Sequence, residues 1–221
     1  DNNPKLEISE AEYFELIEAK GFLSAALSIE EKYELVLGNF MDLEKELLSI
    51  TMERVIDNSF DYNRAYTLNS TVNLRLVNFI LAGKSYTELI HSMASKCVKN
   101  TAEVKETIST LKSKHYDESL DYHLMEKLRN HVSHSGLAVH GVTGPDTWIR
   151  NEEGKAVSRV YNTDFYALRA RFAENDRFEK KLLEKLPEKI DLKKAARSYM
   201  GAISNIQDSA RKLIAESITS A

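Results

Sequence analysis

Long runs of apolar residues at helical spacing, with few residues able to interrupt them, most narrow what this chain can fold into. Only three Pro and eight Gly occur in 221 residues, and the good helix formers Leu, Glu, Lys and Ala are plentiful. Ser9-Glu10-Ala11-Glu12 reads as a capping box ahead of Tyr13, Phe14, Leu16 and Ile17, and Gly21 is expected to break that helix. Ser28-Ile29-Glu30-Glu31 reads as a second capping box. It opens a long amphipathic helix with Tyr33, Val36, Leu37, Phe40, Met41, Leu47 and Leu48 on its apolar side, ending within Asn58 to Asp61. A third helix is predicted from about Asn69 to Lys96 and a fourth from Lys99 to Ser113. Asp117 is expected to cap a further helix whose apolar side carries Tyr122, Leu124, Met125 and Leu128.

After Gly136 the period changes. Leu137 to Val142, Thr147 to Arg150 and Lys155 to Tyr161 read as three short strands, with turns at Thr143 to Asp146 and Asn151 to Gly154. Helix is expected again from Thr163, broken near Pro187, with a last helix from Leu192 to Ser217. The predicted fold class is mostly α: an antiparallel helical bundle with a small β-meander, 137–161, inserted after the helix that ends near Gly136. No repeat, low-complexity segment or flexible linker divides the chain, so residues 1–221 are read as one domain.

Composition removes several classes. The single Cys, Cys97, rules out an internal disulfide, and a reducing cytoplasm is the expected compartment. No apolar run approaches the roughly 20 residues that a membrane helix needs. The net charge of −4 argues against a protein that coats nucleic acid. The charge is uneven, however: residues 1–60 carry a net −9 and the remainder +5, which fits either a local basic face or an ordinary mixed surface. There is no GxxxxGK phosphate loop, GxSxG elbow, HExxH or CxxC.

The chemistry concentrates in Arg129-Asn130-His131-Val132-Ser133-His134-Ser135-Gly136. A guanidinium can hold a phosphate in a fork of donors, and an imidazole can move a proton near neutral pH. Asn130 and His134 are four apart and share a helix face with Glu126. Arg129 and His134 are five apart, about 140° around the axis, so the long Arg side chain must reach around. A purely structural reading stands beside this one. A His in the last turn complements the helix dipole, and Gly136 can be the left-handed residue of a Schellman stop. A third option is a metal site on His131 and His134, completed by Glu126, His123 or His140, although no second ligand cluster accompanies them. No metal or other cofactor is expected.

The motif resembles the signature of the HEPN family: Arg, a polar residue, and His after four to six intervening residues, on the last turns of a helix. Here Arg129, Asn130 and His134 match. The stretch from Asn73-Leu74-Arg75 through Asn78-Phe79 to Ser85-Tyr86 is similar to the helix that packs against the Arg–His helix in that family. The resemblance is strong from about Asn69 to Leu137 and architectural elsewhere. It implies a metal-independent ribonuclease, with Arg129, Asn130 and His134 catalytic. It further implies a homodimer that brings two Arg–His sets together, and a role in toxin–antitoxin, abortive-infection or antiviral defence, with RNA and an antitoxin or other regulatory protein as partners. His131, Asn78, Ser85, Arg150 and Arg159 are the expected substrate-binding residues. For Asn78 and Ser85 the other reading is a partner-facing seam or solvated edge. For Arg150 and Arg159 it is charged protection of strand edges. One toxin branch of the family carries Tyr two residues after the His; Gly136 stands there, which excludes modification at that position. The alternative function is a non-catalytic module of the same type that binds nucleotide, RNA or a partner protein.

Overall fold

Helix α1, Glu10–Ile56, is 47 residues long and spans about 70 Å at 1.5 Å per residue. The computed structural model describes residues 6–57 and 62–219 of the chain. The capping box at Ser9 is formed: Glu12 N donates to Ser9 Oγ at 3.3 Å and Ser9 N donates to Glu12 Oε2 at 2.7 Å. The expected break at Gly21 does not occur. A Cβ there would meet nothing within 4 Å, so no packing demand marks the position. The roughly 1 kcal/mol cost of a helical Gly is outweighed by the backbone hydrogen bonds on either side. Ser28 caps nothing; its Oγ donates to Ser24 O at 3.0 Å inside the continuous helix. The predicted end within Asn58 to Asp61 lies outside the described residues, and α1 itself stops at Ile56 with Asp57 as its C-cap.

Helix α2, Tyr62–Ser95, starts earlier than its apolar pattern suggests and runs antiparallel to α1. The ion pairs Arg64–Asp57 at 3.1 Å and Arg75–Glu46 at 3.3 Å, reversed in order along the two helices, show this direction. Helix α3, Thr101–Glu118, contains Asp117 in its last turn. The cap of helix α4, Leu120–His134, is therefore Ser119, whose Oγ accepts from Tyr122 N at 3.2 Å.

The chain beyond α4 departs from the expected meander. Strand β1 is only Gly141–Thr143. Strands β2, Thr147–Arg150, and β3, Ala156–Val160, pair with each other as a separate hairpin. Strand β1 pairs instead with β4, Asp164–Leu168, which pairs with β5, Lys189–Asp191, in an antiparallel sheet ordered β1-β4-β5. Two anchors explain the rearrangement. Asn73 of α2, buried, donates from Nδ2 to Val139 O and accepts from Val139 N, both at 2.9 Å. Its carboxamide satisfies the backbone groups that a neighbouring strand would otherwise take. Arg54 of α1 donates to Gly144 O at 3.0 Å, Asp146 Oδ1 at 3.0 Å and Asn162 O at 2.7 Å, fixing both ends of the hairpin. A Cβ on Gly144 would lie 1.8 Å from that guanidinium, so a larger residue there would have to displace the end of the Arg54 side chain. The hairpin turns at Gly154, whose φ of +76° is the left-handed region that Gly reaches without strain.

Two short helices follow β4: α5, Arg169–Ala173, and α6, Lys180–Lys185. Helix α7, Leu192–Thr219, comes last and is the hub of the fold. It meets α1 through Tyr33–Ser204 at 3.0 Å, α2 through Tyr86–Gln207 at 2.7 Å and α4 through Tyr199–Glu126 at 2.7 Å. Tyr199 lies 5.1 Å from Tyr122 and 5.8 Å from Phe79, ring to ring, at the centre of one apolar core that extends from Ile29 to Ile214. The described chain is thus mostly helical with a small antiparallel sheet and a two-stranded hairpin. No helix among the described residues is long and apolar enough to cross a membrane.

Candidate active site

Helix α4 buries Tyr122, Leu124, Met125, Leu128 and His131, and leaves Asn130 and His134 exposed on the other side. It ends where Ser135 N and Gly136 N both donate to His131 O, at 2.8 and 3.2 Å. Ser135 has φ −133° and Gly136 is not left-handed, so the expected Schellman stop is absent. The helix is terminated from outside. Asn175, in the loop between α5 and α6, donates to Ser135 Oγ at 2.9 Å, and Asn73 holds the chain at Val139.

The same loop closes a cavity of about 330 Å³ against the end of α4, lined by Lys127, Asn130, His131, His134, Ser135, Asn175, Arg177, Phe178 and Glu179. His131 forms its floor. The imidazole stands edge-on to Phe172 and Phe178, at 5.0 and 5.8 Å, and those two rings stack 4.9 Å apart. Arg177 N donates to Asn175 Oδ1 at 3.0 Å, which fixes the carboxamide so that Nδ2 faces His131 Nδ1 at 3.3 Å. On this hydrogen bonding, Nδ1 is the acceptor and the proton is assigned to Nε2. Burial pushes the His131 pKa below its ordinary value, against a weaker opposing backbone bond to Leu137. The ring is thus packed against the two Phe rings and hydrogen-bonded by Asn175, and it also lines the cavity. His140, 5.2 Å from Phe172 ring to ring, is likewise pushed down by burial and then by His131, and accepts from Leu168 N at 2.8 Å.

His134 has neither fate. It is exposed, lines the cavity, and its ring has no partner among the described residues. Asn130 shares its face, and Arg129 Nη1 donates to Asn130 Oδ1 at 3.0 Å. The guanidinium is thereby drawn around the helix toward the Asn130–His134 face, although Arg129 itself does not line the cavity. Glu126 turns away from both. Its carboxylate takes Lys84 Nζ at 2.6 Å, Tyr199 OH at 2.7 Å and Thr87 Oγ1 at 3.3 Å inside the bundle.

The other expected substrate contacts lie elsewhere. Helix α2 does pack on α4, but through Lys84 and Thr87; Asn78 is exposed and Ser85 half-buried, and neither reaches the cavity. Arg150 donates to Gly154 O at 2.8 Å within its own hairpin. Arg159 pairs with Asp146 and stacks on Trp148 and Tyr161, at 5.3 and 4.8 Å. Both make contacts within and beside the hairpin and neither lines the cavity. Among the described residues no group of three or more His, Cys, Asp or Glu is placed to hold a metal ion.

Sequence reasoning missed Lys127 and the whole 175–179 wall. Lys127 was legible, since it stands three and seven residues before Asn130 and His134 on one helix face. Asn175 and Arg177 gave no signal beyond an ordinary polar turn. Their meeting with α4 is a matter of tertiary packing. Glu179, the only carboxylate in the lining, is neutralised by Lys127 Nζ at 2.8 Å and faces His123 Nε2 at 3.3 Å; Lys127 first, and then His123, hold its carboxyl below the usual range. What remains uncompensated in the cavity is cationic or proton-transferring. Neither family models, nor curated proteins, nor solved structures yield a match to this chain.

Proposed function

We propose that this chain is a HEPN-type, metal-independent endoribonuclease acting at the end of α4. The supporting observation is a free imidazole, His134, beside Asn130 on the wall of a cavity whose single carboxylate is already neutralised. In this reading the 2′-OH of RNA attacks the adjacent phosphorus and gives its proton to His134 as general base. The P–O5′ bond breaks, leaving a 2′,3′-cyclic phosphate and a 5′-OH, with the leaving oxygen protonated by solvent or by the imidazole of a second copy. Arg129 stabilises the charge that develops on the phosphoryl oxygens, and Asn130 holds that guanidinium in place. The single free imidazole per cavity is the reason for proposing a homodimer. A cytoplasmic defence or toxin role, held in check by an antitoxin or other regulator, is part of the same proposal.

The test is cleavage of RNA in EDTA by wild type, His134→Ala and Arg129→Ala, with analysis of product ends. Loss of about 10²–10⁴-fold on removing His134, cyclic phosphate ends, and no cutting of a 2′-deoxy substrate are expected. Equal activity in both variants would assign the cleavage to another source. The second reading, a non-catalytic module binding nucleotide, RNA or a partner protein, is favoured by one observation: Arg129 is held beside the cavity and outside its lining. Tight RNA binding without products would select it.

A further inference from the structure

The loop after α5 is pinned at both ends and carries one uncommitted cation in its middle. Asn175 clasps Ser135 and His131 of α4, and Asn175 N donates to Phe172 O at 3.1 Å. Phe178 N donates to Asn175 O at 2.9 Å, and the Phe178 ring stacks on Phe172. Glu179 is tied to Lys127. Between these anchors Arg177 lines the cavity with its side chain exposed and without a partner among the described residues, while its backbone N–H is used to fix Asn175. The adjoining Asp176 does not line the cavity, and Glu174 is paired with Arg171 at 3.4 Å. A guanidinium held on a fixed loop, with no carboxylate assigned to it, presents a planar fork suited to a phosphate.

We infer that this loop supplies a second backbone-phosphate contact, with Arg177 touching the nucleic acid and Asn175 acting as its positioning residue. The inference rests on the reading of the cavity as a phosphodiester site and extends it. A single phosphate at Arg129–His134 is not the whole ligand; the site takes a strand whose neighbouring phosphate reaches Arg177. Lys127 is the nearest competitor for that role and is already engaged by Glu179.

The experiment measures binding of a short single-stranded oligonucleotide with 2′-deoxy sugars, which the 2′-OH route cannot cut, by fluorescence anisotropy over a range of salt. Wild type, Arg177→Gln, Arg177→Lys and Asn175→Ala are compared, with cleavage of the matching RNA measured in parallel. Arg177→Gln is expected to weaken binding roughly tenfold, as for loss of a hydrogen bond to a charged group. It should also flatten the logarithmic salt slope by about 0.7, one phosphate contact on a single strand. Arg177→Lys restores the salt slope but only part of the affinity. Asn175→Ala weakens binding while Arg177 is present, and a double variant carrying Asn175→Ala with Arg177→Gln binds no more weakly than Arg177→Gln alone. Unchanged affinity and salt slope in Arg177→Gln, or no binding by wild type, overturns the inference. The two proposals separate cleanly: Arg177-dependent binding without cleavage sinks the nuclease and keeps this contact, whereas cleavage with an unchanged KM in Arg177→Gln does the reverse.

Discussion

Halfway along α4, Glu126 is enclosed by Lys84, Thr87 and Tyr199, with every strong polar group answered. One to two turns later on the same helix, Asn130 and His134 face an open cavity, and the imidazole is answered by nothing among the described residues. Both clusters are polar, both mix cations with hydrogen-bonding groups, and both are built where α4 meets another element. They differ in saturation. A buried carboxylate is retained only if its partners repay its lost hydration, so the Glu126 cluster reads as part of the framework. A site for an outside ligand must leave donors unused, as the cavity does. The hairpin lies nearer the first pattern: Arg150 donates to Gly154 O in its turn, and Arg159 pairs with Asp146 just before β2.

Removing the acceptor from the saturated cluster should have the largest effect on stability. Glu126→Ala takes the acceptor from the Tyr199 hydroxyl and leaves Lys84 with only the exposed Glu88 at 3.6 Å. It is expected to cost about 3 kcal/mol, the low end for a broken buried pair, read from urea denaturation. A cost below about 1 kcal/mol would erase the distinction drawn between the clusters. Asn73→Ala comes next, at about 1–3 kcal/mol, because the Val139 N–H and C=O lose their buried partner. The same variant should loosen the chain just after α4, seen as faster amide exchange over residues 137–141.

Acid sharpens the contrast between the two histidines. His131 is held below its ordinary pKa by burial, so the unfolded chain binds the proton more readily than the folded one. The stability this confers is complete above the unfolded value near 6.5 and is lost as pH falls toward the folded value. His140 and His115, also lowered by burial, act with the same sign. Denaturation midpoints should therefore fall between pH 7.5 and 5.5, and His131→Phe should remove part of that fall. An unchanged pH dependence in the variant would mean that His131 is not held neutral. The smallest effect is reserved for His134→Ala, whose stability should stay within about 0.5 kcal/mol of wild type while activity is lost. A larger destabilisation would place His134 with the framework.

Much of the helical scaffold is legible in the sequence. The Ser9 cap, the apolar side of α4 and the start of α7 at Leu192 all follow from local spacing. So does the placement of Asn130 and His134 on one face of α4, although that face's exposure does not. On α2, by contrast, Leu74, Leu81 and Leu89, at helical spacing, are exposed and Val72, Leu76 and Phe79 are buried instead. Gly21 and Ser28 misled because a Gly or a capping pattern marks a helix end only when something else takes over the freed backbone groups, and nothing does there. The strand Asp164–Leu168 was hidden for a related reason. Its alternation is seen only in the burial of Phe165 and Ala167, which β1, β5 and α7 create.

The sequence by itself determined which segments are helical, where α4 begins its apolar side, and that an Arg, an Asn and two His crowd its last turns. Those properties depend on a period of 3.6 residues and on side-chain chemistry, and both are written locally. Only the tertiary structure decided that His131 is packed edge-on against the stacked rings of Phe172 and Phe178 while His134, three residues on, has no partner among the described residues. It also decided that β1 pairs with β4, that Asn73 takes the place of a strand beside Val139, and that Asn175 and Arg177 close a cavity from more than 40 residues away. Each of these depends on which distant group satisfies a buried donor, acceptor or ring, and that choice is made by packing among α2, α4, α5 and α7.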